Sequence, residues 1–363
     1  MKSIFKYTLL CCVLAAAFVS CGKEKDSPDG PPSISRVATS INHAANISSG
    51  DMNQWILIIG TNLKLTQSVF FSDLEVPREN IYASDTLVSV RIPRKVPAEV
   101  TNTVKVVTKA GEASYNFILN TPPFVVKGLR NEHTLAGDTL EIMGDFFDLY
   151  FTAEGTAVSF TGGVTAPVAA LAAEYIKVVV PAGAEMGPVT VQGPAPLNST
   201  FSTNSSWYLD TRNMIIVHPV VAPATGMVSS HPDFPKNPGL MMVKQGAYSA
   251  WGWDAFFTSY INWPAGAMGA NKTNYVMKFE MNTKLAITKG DIIFNIADYY
   301  YRWPYNYFGK PLDTKGKWET ITLPLDIASH PTDNYAWFGW LYSDGESRES
   351  NFAISNFRVV PKN

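Results

Sequence analysis

The densest chemistry in this 363-residue chain lies near position 300, where Asp298–Tyr307 holds six aromatic residues together with Arg302 and Asn306. Pro304 interrupts the run, and no single element can bury every ring beside such polar neighbours. Two more aromatic groups precede it: Trp251-Gly252-Trp253 followed by Asp254, and Trp263 in a loop before Pro264. Exposed aromatic clusters mark contact surfaces. Flat rings beside directional polar groups suit a sugar, whose C–H faces lie on an indole or phenol while its hydroxyls need a few well-placed partners. Trp251, Trp253, Trp263, Tyr301 and Trp303 are the stacking candidates. Arg302 can fork two hydrogen bonds to adjacent hydroxyls, and Asp254, Asp298 or Asn306 can complete the set. Alternate residues of a strand share a face, so Trp251 and Trp253 are expected side by side. Trp337 and Trp340, three apart, should fall on opposite faces, one of them in the core.

Other chemistries find less support. A glycan hydrolase needs two carboxylates facing across a cleft. Asp254, Glu280, Asp291, Asp298, Asp313, Asp326 and Asp344 are instead scattered singly among strands and turns, where acids usually cap or solvate. His218, His231 and His330 are too dispersed for a zinc site or a triad, and no acid cluster is dense enough to assert calcium. All three cysteines lie at positions 11, 12 and 21, so the following 342 residues have no thiol for catalysis, metal binding or a disulfide. No cofactor is expected. The formal charge of −2 gives no reason to expect a nucleic-acid partner.

The elements that must hold these residues read as β throughout. Tyr275–Met281, Asp291–Ile296, Trp318–Leu323 and Asn351–Val360 alternate apolar and polar residues, placing Phe279, Phe294, Trp318 and Phe357 inside. Eight of the nine tryptophans and eleven of the sixteen tyrosines lie from Trp207 onward, which separates this part from what precedes it. Upstream, an internal repeat appears. Pro31-Pro32-Ser33-Ile34 and Pro122-Pro123-Phe124-Val125 open two stretches 91 residues apart. Trp55–Gly60 then corresponds to Thr139–Gly144, Val69–Phe71 to Val158–Phe160, Leu87–Pro93 to Ile176–Pro181, and Val104–Thr108 to Val189–Gln192. Short β-branched segments punctuated by turns predict two tandem antiparallel sandwiches. Gly60 and Gly144 are expected to supply positive φ where the chain leaves a strand. Neither repeat carries a chemical constellation, so both read as spacers.

The N-terminus has the parts of an export signal: Lys2 and Lys6, an apolar run from Tyr7 to Val19, and Ser20 before Cys21. The run is too short to span a bilayer. Phe18-Val19-Ser20-Cys21 resembles a bacterial lipobox, which implies that Cys21 is acylated after cleavage. Gly22–Gly30 is a polar leash. Removal of Lys2 and Lys6 takes the formal charge from −2 to −4.

Family resemblances follow from these motifs. Pro32-Ser33-Ile34, Ile59-Gly60-Thr61-Asn62-Leu63 and Ile92-Pro93 resemble the IPT/TIG variety of immunoglobulin-like domain, as do Ile142-Met143-Gly144-Asp145-Phe146 and Val180-Pro181 in the second copy. The whole layout resembles the surface glycan-binding lipoproteins of Bacteroidetes polysaccharide-utilisation loci. Ser206–Met214 and Gly246–Trp253 are similar to segments of their xyloglucan-binding type of domain. The expected fold is all-β: two tandem Ig-like sandwiches followed by a jelly-roll-like sandwich. The expected division is a signal peptide at 1–20, a lipidated Cys21 and linker at 21–31, Ig-like domains at 32–121 and 122–205, and a glycan-binding sandwich at 206–363. The resemblance implies a glycan captured by surface aromatics, a role carried here to Trp251, Trp253 and Trp303. The implied ligand class is β-glucan, xyloglucan or β-mannan. It also implies the outer leaflet of the outer membrane and a SusC/SusD-like transporter as partner. A surface adhesin binding protein ligands and an endo-glycanase are the alternatives.

Overall fold

A computed structural model describes residues 30–207, 216–217, 227–257, 261–262, 274–296, 299–324, 335–342 and 345–362. Cys21, Trp263 and Asp298 lie outside them. The architecture is all-β, as the alternating segments predict, and the chain forms two compact units, Met1–Pro122 and Pro123–Asn363.

The first unit is a sandwich of two four-stranded sheets. One runs in the order Ser33–Thr39, Trp55–Thr61, Leu87–Arg91, Ile81–Ala83. The other runs Leu74–Glu75, Thr66–Phe71, Thr103–Thr108, Gly111–Asn116. Period-two alternation drives Ile56, Ile58, Val69, Phe71, Val88, Val90, Val104 and Val106 into one core, which Phe117 closes.

The second unit begins with the repeat of that pattern, here joined into a continuous seven-stranded path. Its order is Val125–Leu129, Thr139–Asp145, Tyr175–Val179, Thr165–Leu171, Ala157–Thr161, Glu185–Gln192, Thr200–Trp207. The strand Thr165–Leu171 pairs with both halves and bends at a register shift between Val168 and Ala170. The final strand corrects the expected boundary after residue 205. Trp207 is buried in this sandwich's core, donates from Nε1 to the Thr134 carbonyl at 2.9 Å and meets Phe160 edge-on.

The paired glycines also differ from expectation. Neither Gly60 nor Gly144 has positive φ. A Cβ on Gly60 would sit 1.8 Å from the Ser33 carbonyl oxygen, and one on Gly144 would sit 2.3 Å from that of Val125. Close backbone approach beside a bulged first strand excludes side chains there. The left-handed turn falls two residues later, at Asn62 (φ 60°) and Phe146 (φ 61°).

The C-terminal part is a sandwich of two further sheets. One is built from Met227–Val228, Met241–Tyr248, Arg348–Pro361, Tyr275–Thr283 and Glu319–Pro324, with Ile216–Val217 added beside Arg348–Pro361. The other runs Trp253–Phe257, Tyr335–Tyr342, Asp291–Ile296, Tyr299–Pro304, with Ile261–Asn262 added beside Tyr335–Tyr342. Phe279, Phe294, Trp318 and Phe357 are all buried, as their alternation predicts.

A buried charge cluster ties the second Ig-like sandwich to this C-terminal sandwich. Arg358 and Lys278 are cross-strand partners on the face of the first sheet opposite Phe279 and Phe357. That face is covered by residues 130–134. Arg358 is only 1% exposed and donates twice to Glu280, at 2.9 Å each, and once to Glu132 at 2.7 Å. Lys278 donates to the other Glu132 oxygen at 2.7 Å, and His133 Nδ1 lies 3.2 Å from Glu280. Thr320 accepts from the Glu132 amide and donates to Glu280, while its own amide donates to the Arg130 carbonyl. Arg130 pairs with Glu319 and, at 2.5 Å, with Glu141, whose second oxygen takes Lys317 at 3.0 Å. This sandwich is therefore more than a spacer.

Burial alone would raise the Glu280 carboxyl, but Arg358 and His133 outweigh it and hold the group at about 2. The guanidinium of Arg358 is opposed by burial and raised by Glu280 and Glu132. Removing one partner of a buried pair typically costs about 3–5 kcal/mol, so Glu132→Ala should lower the stability of residues 123–363 by that order in urea unfolding. The depressed carboxyl also fixes the acid response. Its contribution is complete above the ordinary value of 4.5 and is lost as the pH falls towards 2. Glu280→Gln should remove that part of the pH dependence of thermal unfolding.

Candidate functional site

Register across the second C-terminal sheet sorts the candidate residues by face, because directly opposed residues share one. Asp254, Leu341, Ile292 and Trp303 form one row. Ile292 and Trp303 are both buried in the core, which makes this the inner face. The flanking rows have the opposite register parity, and there Ile293 is fully buried while Tyr300 and Arg302 are exposed. One contains Trp253, Tyr342, Asp291 and Pro304, and the next Ala255, Trp340, Ile293 and Arg302. A third contains Phe338, Asn295 and Tyr300. The register shift between Asn295 and Ile296 makes Trp337 an extra, bulged residue.

This sorting corrects several expectations. Trp303 is 4% exposed and Tyr301 8% exposed, and their rings stack on each other at 6.0 Å. Trp303 also meets Phe294 at 5.7 Å. Both rings fill the core and are unavailable to a ligand. Asp254 falls on the inner register row and Trp253 on the outer one. Trp251 does not alternate with Trp253 along a strand: it occupies a left-handed turn (φ 57°) and the strand begins at Trp253. The residue is 66% exposed and its indole lies across Gly345, where a Cβ would approach the ring to 3.3 Å. Gly345 itself has φ 87°, so both conformation and space favour glycine there.

Other candidates remain outward. Arg302 is exposed, with Nε 3.2 Å from Asp291, an ion pair that orients the guanidinium over the outer rows. Asn306 is exposed in the turn after the edge strand. Three outward aromatics escaped the sequence reading of stacking residues: Tyr300 on the outer face, and Tyr307 with Phe308, an exposed edge-to-face pair at 5.1 Å. Alternation within Tyr299–Pro304 was the available signal, since burial of Tyr301 and Trp303 turns Tyr300 and Arg302 out. The acids offer no open catalytic pair among the described residues. Glu280 is fully buried against Arg358, and Asp291 is held by Arg302.

Residues 222–361 match the family described as surface glycan-binding protein B xyloglucan binding domain. The chain resembles the surface glycan-binding proteins of the B type. An IPT/TIG domain-containing protein from Bacteroides ovatus is 26% identical over 162 residues, which cover 40% of this chain and 33% of that protein. The chain thus matches about a third of the length of this curated relative. The crystal structure of surface glycan-binding protein PbSGBP-B from Prevotella bryantii shares the fold, with a TM-score of 0.53 at 17% identity, covering 93% of this chain and all of that one. A B-type protein from a complex xyloglucan utilisation locus in Bacteroides uniformis aligns at 15% identity and TM-score 0.49, over 91% of this chain and 99% of that one. The matched family and the Prevotella bryantii protein are both described as surface glycan-binding proteins.

The two tryptophans now separate by experiment. Trp303→Ala should destabilise the domain by about 3–5 kcal/mol, as large-to-small core changes do. Trp251→Ala, at an exposed turn, should stay within about 0.5 kcal/mol of the parent in the same denaturant titration.

Proposed function

We propose that this protein captures a neutral β-linked polysaccharide, of the β-glucan, xyloglucan or β-mannan class, on the outer face of its second C-terminal sheet. The observation that carries the reading is the exposed pair Tyr300 and Arg302, in register rows of the same parity as the positions of Trp253, Trp340 and Tyr342. Aromatic positions spaced along a sheet match successive sugar rings, and the Arg302–Asp291 pair sets donors and acceptors beside them. Trp251, on the turn leading into that sheet, adds a further exposed ring. The xyloglucan-binding family match over residues 222–361 supports the same ligand class.

The cellular setting is part of this proposal. Cys21, after an apolar signal and before a polar leash, is the acylated residue that anchors the protein in the outer membrane. The folded body then faces the cell exterior. There it gathers polysaccharide for a Sus-like uptake system, with a SusC/SusD-like transporter as the receiving partner.

Affinity electrophoresis in gels containing xyloglucan, mixed-linkage β-glucan or β-mannan tests the binding. At least one glycan should retard the protein without new reducing ends, and Trp253→Ala should weaken retention by at least about tenfold, as loss of an aromatic anchor does. Released oligosaccharide would overturn the binding role. Unchanged retention in both Trp253→Ala and Trp340→Ala would remove the face assignment. For the anchor, Cys21→Ser should abolish fatty-acid labelling and release the protein from the membrane fraction.

A further inference from the structure

A groove of about 780 Å³ opens where the second Ig-like sandwich meets the outer side of the first C-terminal sheet, away from the aromatic rows. Its size falls within the range of small-ligand sites. Lys127 and Ser206 stand on the Ig-like side, and Lys278, Thr322 and Lys362 on the other. Val276 and Val360 form apolar wall between them.

Hydrogen bonds brace both sides of the groove. Gly128, at a bulge with φ 118°, lets its strand fold against Ser205, whose hydroxyl accepts from the Leu129 amide at 3.2 Å. The buried charge cluster described above ties the two walls together. No aromatic residue lines the groove among the described residues, so it is not a second stacking platform. Its polar chemistry is donor-rich. Glu132 is the one lining carboxylate, and its oxygens are already engaged by Lys278 and Arg358 at 2.7 Å each. Lys127 pairs with Asp145 at 2.6 Å yet stays half exposed. The lining side chains thus set three ammonium groups against one carboxylate, a surplus of positive charge that favours an anionic ligand.

We infer that this groove is a second saccharide site, selective for a sugar bearing a carboxylate, as a uronic-acid residue does. The carboxylate lies between Lys127 and Lys362, the ring hydroxyls meet Ser206 and Thr322, and the C–H face rests on Val276 and Val360. The inference rests on the glycan-binding reading and deepens it: one face holds the neutral backbone and the groove selects for acidic substituents.

Isothermal titration of the intact protein with tri-galacturonic acid tests this, with a neutral xyloglucan oligosaccharide as the parallel ligand. The unaltered protein should bind the uronate, more weakly at 0.5 M than at 0.05 M NaCl because salt screens exposed charges. Lys127→Ala combined with Lys362→Ala should weaken uronate binding at least fivefold. Thr322→Trp, which fills the groove without changing charge, should do the same. Neither variant should alter binding of the neutral oligosaccharide. Absence of uronate binding at millimolar ligand, or binding unaffected by both variants, would overturn the groove assignment. Equal binding of a sulfated trisaccharide would overturn the carboxylate selectivity. Failure of the neutral oligosaccharide alone, with uronate still bound in the groove, would instead sink the aromatic-face reading.

Discussion

Arg358 is the residue on which the arrangement of the second unit depends. Its sheet supplies one carboxylate, Glu280, which takes two of its hydrogen bonds. One goes to the Asn356 carbonyl, and another to Glu132, from a different sandwich. Charge balance is therefore completed only when the two sandwiches dock in this one way: Arg358 and Lys278 against Glu280 and Glu132. Desolvation cancels much of the Coulomb attraction in such a cluster. Its effect lies in selection, because any other docking would strand a charge away from water. Thr320 extends the constraint to the backbone by tying Glu132 and Arg130 to the edge strand Glu319–Pro324.

Much of the fold was legible because alternation reports burial directly. Phe279, Phe294, Trp318 and Phe357 were placed inside by parity, and the repeated segments upstream correspond to strands of two similar sandwiches. Three things were hidden, each for a physical reason. Gly60 and Gly144 looked like turn glycines, yet their requirement comes from carbonyl oxygens on a strand more than 15 residues away in sequence. Trp207 looked like the first residue of an aromatic-rich domain because composition changes there, but its neighbours in space belong to the preceding sandwich. Glu132 and Arg358 are 226 residues apart, and two solitary charges carry no sequence signal of pairing.

The sequence pointed to a region, and the structure sorts the side chains of that region by face. Parity in Tyr299–Pro304 says that Tyr301 and Trp303 share a face, but not which face meets the core. Tyr301 and Trp303 went inside, and Tyr300 and Arg302 went out. At Trp251-Gly252-Trp253 the error came from assuming a continuous strand, whereas the left-handed turn at Trp251 breaks it. Exposed rings and buried rings differ here by cross-strand context, which only the register supplies.

The strand Arg348–Pro361 has a mechanical consequence. Its 14 residues span about 45 Å at roughly 3.3 Å each. It begins beside the turn that supports Trp251 and contains Arg358 near its far end. Its first half pairs with Met241–Tyr248 and its second half with Tyr275–Thr283, the two overlapping at residues 352–355. A pull along this strand loads many ladder bonds in shear at once rather than peeling them singly. A force applied at the Trp251 turn would thereby reach the charge cluster as a load shared over the ladder bonds.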